Sequence, residues 1–233
     1  MDTEAIILVT GGNRGIGKEV CRQLAAKGQA VILAARDPNK GEAAARDLQD
    51  LPGLVTAIQL DVTDPASVER ARSEVEHRFG HIDVLVNNAG IDYDTDQDVL
   101  TADLDRVRRI LDTNVLGMWV VTQAFVPLLR KSDHPRIVNV SSEAGSISHI
   151  ESWAPGYSTS KAAVNAFTAI LARELKRDGF LVNAVCPGWI ATDMGGPGGG
   201  PLPEGGRSVL WAIELPDDGP TGGFFQNGRP LPW

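Results

Sequence analysis

Short apolar runs rich in β-branched residues alternate along the chain with longer stretches whose apolar positions recur every three or four residues, the pattern of strands separated by helices. AIILV at 5–9 precedes a helix from about Gly15 to Lys27, and AVILAA at 30–35 precedes one from about Asn39 to Asp50. LVTAIQL at 54–60 leads to a helix that Asp64 caps and Pro65 opens, running to about Phe79. IDVLVNN at 82–88 is the fourth strand. A helical region follows from about Leu104 to Arg130, in two pieces meeting near Thr113 to Gly117, and RIVNVSS at 136–142 is the fifth strand. A helix carrying YSTSK continues to about Asp178, FLVNAVC at 180–186 is the sixth strand, and GGFFQ at 222–226 is a seventh after a short helix around Arg207 to Ala212. Strands joined through helices pair in parallel by right-handed crossovers, which buries both faces of the sheet. The expectation is a doubly wound α/β domain of the Rossmann type, with a mostly parallel sheet of about seven strands.

The 233 residues are 42% hydrophobic and 22% charged, enough for one substantial core, so residues 1–233 are expected to form a single domain. GGPGGGPLPEGG at 195–206 is the one low-complexity stretch. It defines an irregular, mobile substrate loop over 193–212, placed where open α/β sheets bind ligands and suited to act as a lid; the plain alternative is a passive linker. The formal charge of −8 disfavours nucleic acid and anionic membranes. The acidic opening MDTE runs straight into a strand and no apolar run is long enough to span a bilayer, so a cytoplasmic location is expected. Cys21 and Cys186 read as buried core residues, and the scattered histidines lack metal-ligand spacing.

The first strand enters TGGNRGIG at 10–17 directly and a helix leaves it. Gly11 allows the tight turn, Gly15 the approach of a diphosphate and Gly17 close helix packing, with Asn13, Arg14 and Ile16 completing the loop. Free amides at the helix start bind the anion. At the end of the second strand an acid reads the 2′-hydroxyl of NAD, whereas basic residues accommodate the 2′-phosphate of NADP. Ala35 takes the terminal slot here, Arg36 follows, and Lys40 and Arg14 add charge, so three cations argue for NADP(H). Asp37 stands about twenty residues beyond Gly17 and keeps NAD(H) as the less favoured alternative.

Tyr157 and Lys161 lie one helical turn apart on one face. Bringing a phenol from its usual pKa of about 10 to 7 takes roughly 4 kcal/mol. A cation ~5 Å away supplies about 3 kcal/mol at an effective dielectric near 20. The pair is a tunable proton donor or acceptor, and the lysine is expected to lower the tyrosine's pKa.

Taken in order, TGGNRGIG, Asp61-Val62, NNAG at 87–90, Asn114 in TNVLG, Ser142 in VNVSSEAG, YSTSK and PGWIAT at 187–192 resemble the short-chain dehydrogenase/reductase family, in its shorter, carbonyl reductase-like form. The resemblance covers nearly the whole chain. It implies hydride transfer between a nicotinamide cofactor and a carbonyl or alcohol. Tyr157 is then the proton donor, Ser142 the hydrogen-bond partner of the carbonyl oxygen, Lys161 the partner of tyrosine and ribose, and Asn114 the residue that positions a water. Ser141 competes with Ser142 for its role. By the same resemblance Asp61 and Val62 meet the adenine, Asn88, Ala89 and Gly90 flank the cofactor, and Pro187, Gly188, Ile190 and Thr192 hold the nicotinamide end. His149, Trp153, Trp189 and Met194 form an apolar, partly aromatic pocket for lipophilic aldehydes or ketones. Only fourteen residues separate Ser142 from Tyr157, leaving no room for an insertion that blocks association, so a homodimer or homotetramer is expected. Two other readings stay open. One is a 3-oxoacyl thioester reductase; the other is a non-catalytic NADP-binding sensor on the same fold.

Overall fold

The computed structural model describes residues 5–233; Met1 to Glu4, and with them the acidic opening, lie outside the described residues. Eight strands form one sheet in the order 3-2-1-4-5-6-7-8: β1 Ile6–Thr10, β2 Ala30–Ala35, β3 Val55–Gln59, β4 Val84–Asn87, β5 Arg136–Val140, β6 Leu181–Val185, β7 Phe224–Gln226 and β8 Arg229–Pro230. The first seven are parallel and β8 alone is antiparallel. Strand order reverses between β1 and β4, which opens a crevice above their carboxyl ends.

Helices α1 Gly15–Ala26, α2 Pro38–Arg46 and α7 Leu202–Ile213 contribute to the core on one face of the sheet, where Val9, Leu33 and Val86 point. On the other face Leu8, Ile32, Leu85 and Ile137 meet α3 Pro65–Phe79 and α5 Met118–Leu129. This alternation along each strand is the period-2 pleat, and β2 is buried along its whole length. Phe125, Leu128 and Phe180 are fully enclosed, each contributing about 2 to 3 kcal/mol by burial. Among the described residues no helix is long and apolar enough to cross a membrane, and no cluster of metal-ligating side chains occurs.

Two departures from the sequence reading have physical causes. The sheet has eight strands rather than about seven, because Asn227 (φ 49) and Gly228 (φ 76) make a two-residue hairpin turn between β7 and β8. Asn-Gly is the pair that tolerates positive φ at both positions. The chain end then runs back beside the sheet: Trp233 stacks on Phe224, and the carbonyls of Pro232 and Trp233 accept hydrogen bonds from the hydroxyls of Ser146 and Ser148.

The segment 193–212 is not irregular throughout, since α7 begins at Leu202, five residues earlier than expected. Pro201 and Pro203 preset its first turn, and Gly205 and Gly206 are buried where side chains would strike Ile190 and Glu19. Close packing outweighs the poor helix propensity of glycine. Residues 190–200 form a tied loop, bridged between Ile190 and Gly200 and between Thr192 and Gly196.

The two pieces of the central helical region, α4 Leu104–Leu111 and α5, are joined by a π-helical turn over Asp112–Gly117. Gly117 sits so close to Val62 that a Cβ there would lie 2.7 Å from its methyl. The widened turn carries Asn114, which is buried.

Candidate active site

The loop between β1 and α1 is shaped by backbone conformations that other residues resist: Gly11 has φ 64 and Gly15 φ 54. A Cβ on Gly17 would overlap the Gly11 carbonyl and the Asn88 amide, so the third glycine is required by close approach. Asn88 braces the loop by donating Nδ2 to the carbonyls of Thr10 (2.8 Å) and Gly11 (3.3 Å). The Thr10 hydroxyl accepts from the amides of Asn88 and Ala89, both at 3.0 Å, which ties β1 to β4 at the crevice. Thr10 escaped the sequence reading, although it stands directly before the glycine loop. No side chain caps α1 at Arg14, so its first-turn amides are available to an anion. Asn13 and Ile16 are half-buried in the same loop.

At the end of β2 the competing signals separate. Asp37 is the N-cap of α2, its carboxylate accepting from the amides of Asn39 (2.9 Å) and Lys40 (3.3 Å). Arg36 and Lys40 are exposed beside it. Arg14 reaches the other way and pairs with Asp193 at 3.0 Å, in the loop before α7. Asp61 beyond β3 binds Thr63 through its carboxylate, and Val62 is buried next to it. Gly90 lies between Asn114 and Lys161, where a Cβ would stand 3.5 Å from Asn114 Oδ1 and 3.8 Å from Lys161 Nζ.

Tyr157 occupies the third position of α6, Pro155–Glu174, and Lys161 follows one turn later. The lysine is buried; Nζ donates to the Val140 carbonyl at 2.8 Å and lies 5.6 Å from the centre of the tyrosine ring. Its anchor is the last residue of β5, so strand and helix are pinned where Ser141 and Ser142 emerge. Ser141 Oγ donates to Asn165 Oδ1 at 2.6 Å and is a structural tie. Ser142 is half-buried and faces the crevice, accepting from the Ala144 amide at 3.3 Å. Gly145 lets this turn press on α6, where a Cβ would come 2.5 Å from the Lys161 carbonyl carbon. Asn114 Oδ1 accepts from the Ile91 amide (2.8 Å), and its Nδ2 donates to Ile91 O (3.2 Å) and Ser160 Oγ (3.0 Å).

Burial decides the protonation states. It pushes the Tyr157 phenol above its usual value, with Ser142 beside it pulling the other way, and it pulls Lys161 down to about 8. For the tyrosine the direction is opposite to the one the helical spacing implied, and its leading cause is desolvation of the enclosed phenol. At neutral pH the phenol keeps its proton.

The crevice has a volume of about 1230 Å3, and His149, Trp153, Trp189 and Met194 all line it. Trp189 is held by its Nε1 donating to the Gly195 carbonyl at 2.8 Å. Tyr93 is an addition: its ring meets Tyr157 edge-on at 4.9 Å and Trp153 at 5.2 Å. Having no lysine at helical spacing, it gave no signal as an acid, but its place three residues past NNAG puts it over the site. Glu143 and Glu151 also line the crevice.

Comparison with known proteins places these features in context. The sequence model of the short chain dehydrogenase family matches residues 5–198. The chain is 32% identical to salutaridine reductase of Papaver bracteatum, over 94% of this chain and 93% of that protein. It is 34% identical to (+)-neomenthol dehydrogenase of Arabidopsis thaliana, over 96% of each. Both alignments exceed 233 positions, so those relatives carry segments that this chain lacks. Among solved structures, the NADPH-bound carbonyl reductase from chicken fatty liver superposes with a TM-score of 0.89 at 29% identity, covering 100% of both chains.

Proposed function

Because the chain belongs to the short-chain dehydrogenase family, we propose that it is an NADPH-dependent carbonyl reductase acting reversibly on small lipophilic aldehydes and ketones, with Tyr157 as the proton donor. The carrying observation is the Tyr157 phenol lining an aromatic crevice beside Ser142, with Lys161 buried one turn behind it.

The glycine cradle suits the cofactor's diphosphate, since positive φ at Gly11 and Gly15 and the uncapped start of α1 leave room and donors for it. Arg36 and Lys40 would hold the 2′-phosphate, and Asp37 is engaged through Oδ1 as the cap of α2, which competes with its use as the acid that would favour NAD. Pro187, Gly188, Ile190 and Thr192 form the wall at the nicotinamide end. When bound, the cofactor supplies the hydride. The protein's part is to receive the carbonyl oxygen: Ser142 Oγ donates a hydrogen bond to it as charge develops, and the Tyr157 hydroxyl delivers the proton that yields the alcohol. Lys161 favours the phenolate left behind, and Asn114 marks the route by which water returns the proton. Leu116, Trp119 and Ile170 are exposed on the π-turn, α5 and α6, in keeping with a homodimer or homotetramer through these helices.

The test follows NADPH absorbance across aldehydes, ketones, diketones and 3-oxoacyl thioesters. Turnover of neutral aromatic ketones is expected. Tyr157→Phe should lower kcat at least a thousandfold and leave NADPH binding intact. Silence across the panel with tight NADPH binding would favour a sensor, and a preference for acyl thioesters would favour the 3-oxoacyl reductase.

A further inference from the structure

The start of α6 is uncapped by its own sequence. Ala154 stands at the cap position with φ 49 and offers no side-chain oxygen, and Pro155 has no amide hydrogen. The next two amides, of Gly156 and of Tyr157 itself, donate to the two oxygens of Asp94, each at 2.9 Å. Asp94 lies more than sixty residues upstream, in the loop after β4, and has no solvent exposure. An enclosed carboxylate is strongly unfavourable unless its lone pairs are filled, and here Gln97 Nε2 supplies a further donor at 3.2 Å. Gly156 makes the approach possible, since a Cβ there would stand 2.8 Å from Asp94 Oδ2.

The loop that carries Asp94 is held from outside. Arg106 of α4 binds Asp92 through Nε (2.7 Å) and Nη2 (2.6 Å), and Asp96 through Nη1 (2.8 and 2.9 Å). Two residues of the braced loop therefore act on one target: Tyr93 touches the ring of Tyr157 and Asp94 fixes its backbone.

We propose that Asp94 is a positioning residue for the reaction, a cap supplied from another element that sets where the Tyr157 hydroxyl stands over the crevice. This rests on the reading of Tyr157 as the acid. A carboxylate is suited to the task because both of its oxygens accept, whereas an amide of the same shape offers one acceptor and turns its NH2 toward a second donor.

The experiment is Asp94→Asn in the full chain, measured with NADPH and a neutral aromatic ketone beside Tyr157→Phe. The expected result is a ten- to hundredfold fall in kcat, with the NADPH Kd and the ketone KM within threefold of the wild type. The primary isotope effect with NADPH deuterated at the transferred position should rise, as chemistry slows relative to release. A kcat within threefold of the wild type overturns the proposal. So does a parallel loss of NADPH binding, which would make the carboxylate a folding element only. If Tyr157→Phe keeps its turnover, the underlying reading fails instead, whatever Asp94→Asn does.

Discussion

Replacing Lys161 with methionine should make the protein more stable at neutral pH and less stable at high pH. Burial pulls the ammonium from its usual 10.5 to about 8, which at about 1.4 kcal/mol per pH unit is roughly 3 kcal/mol against the charged form. The sign follows from proton counting. Below pH 8 both the folded and the unfolded chain hold the proton, and the folded state bears the full cost of enclosing it. Between pH 8 and 10.5 the unfolded chain still holds a proton that the folded one has released, so wild-type stability gains up to about 3 kcal/mol from this group as pH rises. Methionine removes the charge at every pH but leaves the Val140 carbonyl without its 2.8 Å donor, a loss of about 1 to 2 kcal/mol. The difference, variant minus wild type, is therefore about +1 to +2 kcal/mol at pH 7, crosses zero near pH 9, and reaches about −1 to −2 by pH 10.5. Urea unfolding followed by tryptophan fluorescence at pH 7, 8, 9 and 10, at one protein concentration, measures it. Cys21, Cys186 and Tyr157 are also raised by burial and titrate at high pH, but they are present in both proteins and largely cancel in the difference. A variant less stable than wild type at pH 7, or a difference flat across the range, refutes the reasoning. Activity should be lost in either case, the usual conflict between a strained site and stability.

Cofactor choice and substrate charge give two further expectations. Arg36→Ser should reduce the ratio of kcat/KM for NADPH over NADH by about tenfold, the lower end for a charge-assisted contact at an exposed site, and the loss should shrink at high salt; an unchanged ratio means the 2′-phosphate is read elsewhere. Glu143 and Glu151 line the crevice, and among the described residues that line it none is lysine or arginine. Taking a separation of ~8 Å from each acid and an effective dielectric of about 40, an anionic ketone meets roughly 2 kcal/mol of repulsion before salt screening, so 4-acetylphenylacetate should be reduced at least fivefold less efficiently than its methyl ester. Equal efficiency would show that the acids face away from bound substrate.

What the sequence revealed and what it hid divide along a physical line. The seven parallel strands, the glycine loop and the Tyr157–Lys161 spacing are local patterns, and local patterns survive without coordinates. The carboxylate cap on α6 is not local, because nothing near Ala154 hints that Asp94 will arrive from the end of β4. The direction of the tyrosine's shift was missed for a related reason: helical spacing gives the distance to a cation, whereas desolvation depends on everything folded around both. Glycines misled at the start of α7, where packing against α1 and Ile190 overrode propensity. By contrast, the Asn227-Gly228 turn was a readable signal that passed unused.

The return of the chain end along β8 has a consequence for biosynthesis. The hydroxyls of Ser148, on the wall of the crevice, and of Ser146, buried behind it, take their partners from residues about 85 positions later. A ribosome adding about 5 to 20 residues per second needs roughly 4 to 17 s to make that stretch. Through that interval the glycine loop, Ser142 and Tyr157 have been synthesised, but the wall beside them lacks its final ties. The ties that complete this wall can therefore form only after the glycine loop, Ser142 and Tyr157 have been made.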